Sequence, residues 1–118
     1  MKMQSEARRS VAYIAARLIS GRQGSSIYDY SGTGYTHFSG TVGNNVAIYD
    51  HSASAHISGS SKQFYHHGLS AQISLTINGK NFSGYDYGSS THFSGSVSQS
   101  NVTLYDYGES KHFQYLLS

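Results

Sequence analysis

The sequence predicts a mainly β protein: an antiparallel meander of five β-hairpin repeats with one N-terminal amphipathic α-helix packed on it. Three observations carry this prediction: a tyrosine-led motif that returns five times, glycine- and serine-rich turns between runs of strand formers, and an apolar stripe with helical spacing near the start. The 118 residues are enough for one domain. We divide that domain into a helix at 5–20 and five degenerate hairpin repeats over 25–118.

The first element is the predicted helix. Its apolar residues recur at i, i+3, i+4 and i+7 and form one stripe, which consists of Val11, Ile14, Ala15 and Leu18. Ser5 is suited to cap the amino end, and Glu6 to lie near the positive end of the helix dipole. Gly21 and Gly24 are expected to end the helix.

The remainder of the chain consists of one motif repeated five times, at a period of about 20 residues. The copies are IYDYSGTGYTHF (27–38), IYDHSASAHI (48–57), FYHHGLSAQI (64–73), GYDYGSSTHF (84–93) and LYDYGESKHF (104–113). One column is tyrosine in every copy: Tyr28, Tyr49, Tyr65, Tyr85 and Tyr105. Every aspartate follows a column tyrosine, and all seven histidines fall in repeat columns.

Each copy is predicted to be a hairpin, because tyrosine favours strands while glycine and serine favour turns. We place Asp106 opposite His112, with residues 108–110 as a three-residue loop, and Asp86 opposite His92 in the same way. A parallel solenoid would stack aspartates ~4.8 Å apart, at a cost of about 1 kcal/mol per contact even in water. The antiparallel meander avoids this repulsion and predicts up to ten short strands, with His92 also facing Asp106.

The predicted sheet is too wide for one helix to cover. Ten strands at ~4.8 Å spacing span nearly 50 Å, whereas a helix of about 15 residues is ~22 Å long. The sheet is therefore expected to curl, to close into a barrel, to fold into a two-layer sandwich, or to bury its spare face in a homo-oligomer. We expect the tyrosine column to share one face with Phe38, Phe93 and Phe113, and the Asp/His row to lie on the other face.

For function, the leading hypothesis is a non-enzymatic structural or protein-interaction module. An Asp–His pair that is partly sheltered is worth ~1.5–3 kcal/mol, and a row of pairs would define the strand register. Catalysis is disfavoured because four near-equal copies do not provide one tuned acid–base pair. The sequence also lacks a phosphate-binding loop, a CxxC pair and an HExxH motif, and it indicates no cofactor.

Two alternatives remain open. The first is a carbohydrate or other small-ligand site on the tyrosine column, formed by Tyr28, Tyr49, Tyr85 and Tyr105, because a row of rings is a platform for stacking. The second is a metal site formed by Asp86, His92, Asp106 and His112, whose side chains are of metal-binding types and adjacent in the predicted row.

Charge and hydropathy limit the partners. Residues 1–23 carry five cations against one acid, whereas the rest of the chain carries three cations against five acids. We therefore expect no nucleic-acid partner for the sheet. The basic helix could also contact a membrane surface, but its stripe is narrow and lacks Trp and Phe, which favours packing on the sheet. No apolar run approaches the ~20 residues of a membrane span and no signal peptide is evident, so a cytoplasmic location is expected.

The repeat is similar in length and aromatic content to the hairpin repeats of choline-binding, glucan-binding and MORN proteins. It has neither the tryptophan of the first two nor the glycine–aromatic spacing of the third. We assign the chain to no family on these grounds.

Overall fold

The structure is a computed structural model that describes residues 3–32 and 34–118. Within these ranges it has one helix and ten strands, in this order: α1 (Ser5–Ser20), β1 (Ser26–Asp29), β2 (Gly34–Val42), β3 (Asn45–Asp50), β4 (Ala55–Ser60), β5 (Gln63–His66), β6 (Ala71–Asn78), β7 (Asn81–Asp86), β8 (Thr91–Ser98), β9 (Asn101–Asp106) and β10 (Lys111–Leu117). The predicted helix and the predicted ten strands are confirmed.

The ten strands form one closed barrel. Each strand pairs antiparallel with its neighbour in sequence, and β1 closes the ring by pairing with β10 through Ile27 and Leu117. The antiparallel meander is therefore confirmed, and the barrel is the correct form among the alternatives of a curled sheet, a barrel and a sandwich. Closure satisfies the strand edges that an open sheet would leave unpaired.

Helix α1 lies inside the barrel. A run of consecutive residues from Val11 to Ala16 is fully buried, so every side of the helix is covered, which is typical of an interior helix. The helix contacts β1 and β6, which lie on opposite sides of the ring, together with β2, β8, β9 and β10. Alanine at positions 7, 12, 15 and 16 keeps it narrow enough for the lumen. The helix thus packs on the sheet as predicted, but it does so with its whole circumference.

The ends of α1 agree with the prediction at one terminus only. Gly21 is the C-cap, in the left-handed conformation with φ of 70°, and its N–H donates to Arg17 O. At the other end the N-cap is Gln4, which makes no side-chain capping bond, and Ser5 is already helical. The expected cap by Ser5 is wrong. Within the described residues, no helix has the length and hydropathy that a membrane span requires.

The predicted hairpin register is wrong by one residue. Asp106 pairs with Lys111, and the column residue Tyr105 pairs with His112. Burial gives the reason, because Leu104 and Phe113 are both in the core and must face the same side, as they do when paired with each other. The shift requires a four-residue loop in place of the predicted three-residue loop.

One residue of register reverses the face of every side chain, so the predicted faces also change. The phenylalanines at 38, 93 and 113 point into the barrel, together with the apolar residues Ile48 and Leu104. The column tyrosines point outward instead of sharing their face.

The barrel has two different ends. At the long-loop end, four-residue loops connect the two strands of the second to fifth repeats: 51–54, 67–70, 87–90 and 107–110. Each of these loops finishes with a serine at φ of 50–55°: Ser54, Ser70, Ser90 and Ser110. At the short-turn end, two residues connect successive repeats: 43–44, 61–62, 79–80 and 99–100. Helix α1 enters at the long-loop end, where Met3 N donates to Asp106, and finishes at the short-turn end, where Arg22 donates to Ser100.

Candidate functional site

The residues of the predicted Asp–His row lie on opposite faces of the barrel wall. Asp86 and Asp106 are buried in the interior, whereas His92 and His112 are exposed on the outer face. The predicted Asp–His pairs do not form, and the four side chains cannot converge on one ion. The metal site predicted from them is therefore wrong, and no other metal-binding group of three or more His, Cys, Asp or Glu residues occurs in ranges 3–32 and 34–118.

The aspartates instead form an inner carboxylate ring at the long-loop end of the lumen, which consists of Asp29, Asp50, Asp86 and Asp106. Each accepts backbone N–H groups from its own loop, as Asp50 Oδ1 does from Ser52 N at 2.9 Å and from Ala53 N at 3.0 Å. This is the local turn bonding that aspartate favours, and it explains why aspartate precedes the four-residue loops.

Two arginines of α1 form ion pairs with two of the four carboxylates of this ring. Arg8 Nη1 lies 3.2 Å from Asp106 Oδ2, and Arg9 Nε lies 2.9 Å from Asp50 Oδ2. Arg8 also lies over the ring of Phe113, 3.9 Å from its centroid. Both carboxylates are fully buried, so the arginines compensate charges that would otherwise be costly to shelter. The arginines thus have a structural role at the entrance of the helix.

His66 takes the aspartate position in the third repeat. Its Nδ1 accepts the Leu69 N–H at 3.2 Å, which reproduces the loop bonding of the carboxylates, and its Nε2 is buried without a hydrogen-bond partner. Burial lowers the pKa of His66, against the opposing effects of Asp50 and Glu6. Burial also raises the pKa of Tyr115, which lies in the core, well above its usual range. Both groups are therefore neutral at physiological pH.

The outer face carries the candidate binding surface. In every repeat the column tyrosine packs edge-on against neighbouring rings, with centroids 4.6–4.9 Å apart and interplanar angles of 60–80°. We call these groups the outer ring clusters: Tyr28/Tyr30/Tyr35, Tyr49/His51/His56, Tyr65/His67, Tyr85/Tyr87/His92 and Tyr105/Tyr107/His112. Successive clusters are two strands apart, or ~10 Å around the barrel.

The four column tyrosines predicted as ligand contacts are half-buried within these clusters: Tyr28, Tyr49, Tyr85 and Tyr105. Their neighbours are more exposed, with Tyr87 at 56% and Tyr107 at 55%. The outer face therefore presents two kinds of ring: half-buried rings that are fixed by packing, and more exposed rings that a ligand can contact. A tyrosine ring is apolar on its faces and polar at its hydroxyl, which suits it to contacts with ligands that have both kinds of surface.

Hydroxyl and amide side chains form a groove between the last two clusters and the short-turn end. This groove of about 500 Å³ crosses β6–β10 and is walled by Tyr105 and His112. Its polar lining consists of Thr76, Asn78, Asn81, Ser83, Ser94, Ser96 and Thr103. None of the described lining residues is Asp, Glu, Lys or Arg. We call it the β6–β10 groove.

The strand register orders this lining into two rows. Thr76 pairs with Ser83, Ser83 with Ser94, and Ser94 with Tyr105, so that one row ends at the ring cluster. Nearer the short-turn end, a second row follows the pairs Asn78–Asn81, Asn81–Ser96 and Ser96–Thr103. A second hollow shares Ser83 and Ser94 and extends the surface to Tyr85, His92 and Tyr107.

The floor of the groove is formed where the barrel wall carries glycine. A Cβ at Gly95 would collide with the carbonyl oxygen of Thr103 and with the ring of Phe82, which lies against it from inside. Without a side chain at this position, the backbone of β9 and the Phe82 ring approach closely beneath the polar rows.

Reasoning from sequence identified the column tyrosines but missed the polar rows and the roles of Arg8 and Arg9. The rows have a signal in the sequence, since serine, threonine and asparagine alternate with apolar residues along SVS, NVT and SLTIN. The arginine–aspartate pairs join residues about 40 and 100 positions apart, and only the placement of the helix in the lumen brings them together.

Comparison of the chain with protein-family models, with curated proteins and with solved structures found no match.

Proposed function

We propose that the protein is a non-enzymatic binding module whose outer ring clusters and β6–β10 groove bind carbohydrate. The observation that carries this proposal is the juxtaposition of partly exposed rings with two rows of uncharged hydroxyl and amide side chains. The interior is filled by α1 and the apolar core, which leaves the outer face as the surface for a ligand.

The chemistry of this surface matches that of a sugar. A pyranose ring exposes C–H groups on its faces, and these are attracted to the electron-rich face of an aromatic ring. Its hydroxyl groups both donate and accept hydrogen bonds, as serine, threonine, asparagine and histidine side chains do. Tyr105 and His112 supply the aromatic wall, and the rows beside them supply hydroxyl and amide partners.

The repetition of the clusters suits a ligand that is itself repetitive. Five clusters surround the barrel, so one module can contact several sugars of a chain or of a coated surface. Linked weak contacts of this kind raise the overall affinity without new interactions. A hollow bounded by Tyr49 on β3, His56 on β4 and His67 in the loop after β5 provides a second place of the same character.

The closed barrel bears on two expectations from the sequence, the homo-oligomer and the contact of α1 with a membrane. The homo-oligomer was expected because a wide sheet would have an uncovered apolar face, and the closed barrel with α1 inside removes that reason. Contact of α1 with a membrane would need its apolar stripe, which is buried in the core. The proposal therefore includes neither a second copy of the chain nor a membrane.

The test is a titration of isotope-labelled protein with a panel of neutral oligosaccharides, followed by NMR. We expect shift changes at Tyr85, Tyr105 and the two polar rows. Tyr107→Leu should weaken this binding by roughly fivefold to tenfold, because it removes a ring contact and the hydroxyl that lies 3.1 Å from Ser94 Oγ.

Tyr30→Leu is the matched control, because Tyr30 is equally exposed, at 57%, but belongs to the first cluster and lines neither the β6–β10 groove nor the hollow beside it. It should leave the titration of the β6–β10 groove unchanged. An absence of shifts with every sugar, or shifts located away from the ring clusters, would overturn the proposal.

A further inference from the structure

We infer that the β6–β10 groove selects acidic oligosaccharides, whose carboxylate groups are bound by lysines at the short-turn end. This inference rests on the proposed function and adds the substrate class. It follows from three observations: the distribution of charge over the barrel, the continuity of the groove with a hollow lined by a lysine, and the exposure of the lysines without ion-pair partners.

The charges of the described side chains are separated between the two ends of the barrel. All six acidic residues of the sequence lie at the long-loop end, either in the inner carboxylate ring or nearby as Glu6 and Glu109. The short-turn end carries only cations among the described side chains: Arg17, Arg22, Lys62 and Lys80. One end of the molecule thus attracts anions, although the net charge is only +2.

The β6–β10 groove runs towards this basic end. Its second row contains Asn78 and Asn81, which flank the two-residue turn that includes Lys80. Thr76 also lines a neighbouring hollow, which is bounded by Lys62 and Ile77. From Tyr105 to the start of β9 the strand rises ~13 Å, which is the length of a short oligosaccharide. Because the groove also crosses from β9 to β6, a sugar chain stacked on the ring cluster extends across the polar rows towards Lys80 and the hollow at Lys62.

The two lysines are available for a ligand. Both are exposed, and within the described residues neither amine makes an ion pair or a side-chain hydrogen bond. The arginines of this end bind neutral partners, since Arg22 donates to Ser100 Oγ and Arg17 to the Gly24 carbonyl. No described acidic side chain at this end offsets the four cations.

The same distribution favours an acidic sugar over a nucleic acid. A polynucleotide has a phosphate at every residue and needs cations along its whole path. The groove itself has only neutral lining residues, and its cations lie at one end. This arrangement fits a ligand that is mostly hydroxyl groups and carries a carboxylate at intervals.

The experiment compares two probes of equal length and linkage, a neutral tetrasaccharide and its hexuronic acid counterpart, by calorimetry and NMR. We expect the acidic probe to bind on the order of tenfold more tightly at low salt, and the difference to shrink as ionic strength rises. The double variant Lys62→Gln/Lys80→Gln should remove the preference and leave the binding of the neutral probe unchanged. Lys111→Gln, which changes a lysine at the long-loop end, should retain the preference.

Each other outcome has a distinct meaning. Equal affinity for both probes would overturn this inference while the proposed carbohydrate function stands. A preference that survives Lys62→Gln/Lys80→Gln would also overturn it, because the anion would then be bound elsewhere. Tighter binding of a single-stranded oligonucleotide to the same groove would overturn the inference, because the ligand of the groove would then be a nucleic acid. Binding of neither sugar would overturn the proposed function together with the inference.

Discussion

Arg9 of the lumenal helix donates through Nε to Oδ2 of Asp50 in the barrel wall at 2.9 Å, and the Asp50 side chain is completely buried. With its counterpart between Arg8 and Asp106, this pair joins the beginning of α1 to two strands on different parts of the ring. The pairs lie beside the hairpin loops that the same carboxylates hold together. The helix and the loops of the long-loop end are therefore stabilised by one set of charges.

The first prediction concerns this pair. Asp50→Asn should lower the free energy of unfolding by about 3 kcal/mol, because it leaves the sheltered Arg9 guanidinium without its counter-charge. Urea denaturation followed by circular dichroism measures the change. An unchanged midpoint would show that the guanidinium is hydrated in the folded protein and that the pair contributes little.

The second prediction compares a substitution on the inner face of the barrel wall with one on the outer face. Asp106→Asn should destabilise the protein by a similar amount, since Asp106 Oδ2 accepts bonds from Met3 N and Arg8 Nη1. His112→Gln should change the stability by less than about 0.5 kcal/mol, because His112 is exposed on the outer face. Thermal unfolding of the two variants in parallel provides the comparison. Equal destabilisation by both changes would contradict the observed register.

The outcome at these positions shows which features can be predicted from the sequence. The repeat columns predict the hairpins, and the charge repulsion in a solenoid correctly favours antiparallel pairing. The register is harder to predict. Asp106 accepts hydrogen bonds from Gly108 N and Glu109 N, and the loop formed in this way is one residue longer than the predicted three-residue loop. The sequence does contain a signal for the correct register: Leu104 and Phe113 are both large and apolar, and only the correct register pairs them on one face.

The position of the helix is less visible in the sequence. The stripe of Val11, Ile14 and Leu18 resembles that of a surface helix, and alanines at the other positions are compatible with either environment. Only closure of the barrel decides the matter, because it creates a lumen of the diameter of a narrow helix and excludes solvent from all sides. The candidate binding surface follows from the same event, since closure assigns the apolar residues to the interior and the tyrosine column to the outside.

The third prediction concerns pH. Burial lowers the pKa of His66 below its usual value of 6.5, so the unfolded chain takes up a proton at a higher pH than the folded protein does. Stability should therefore fall as the pH is lowered from about 7 towards 5, in the range where the unfolded histidine is protonated. Glu6, whose pKa is lowered chiefly by a backbone hydrogen bond, titrates below this window.

His66→Gln is the variant that isolates this effect, because glutamine keeps a polar group at the position and does not titrate. The stability of the variant should decline less than that of the wild type over the same pH range, as measured by urea unfolding at several pH values. If the two proteins have parallel pH profiles, another group is responsible and the folded His66 is not held neutral.

The fourth prediction concerns Gly95 in the wall under the β6–β10 groove. Gly95→Ala should destabilise the protein by about 1–3 kcal/mol, because the added methyl group would overlap the Thr103 carbonyl oxygen and the Phe82 ring. Gly43→Ala is the matched control, since a Cβ at this turn position has nothing within 4 Å. It should leave the unfolding midpoint nearly unchanged.

The same pair of variants links the wall to binding. Relief of the overlap with the Thr103 carbonyl in Gly95→Ala requires that β8 and β9 separate locally, and this separation displaces Ser96 and Thr103 in the lining of the groove. Oligosaccharide affinity should therefore fall in Gly95→Ala even at temperatures where the variant is fully folded, and it should persist in Gly43→Ala. Full affinity in a folded Gly95→Ala variant would mean that the ligand is bound by the ring clusters alone and that the polar rows beside this glycine make no contact with it.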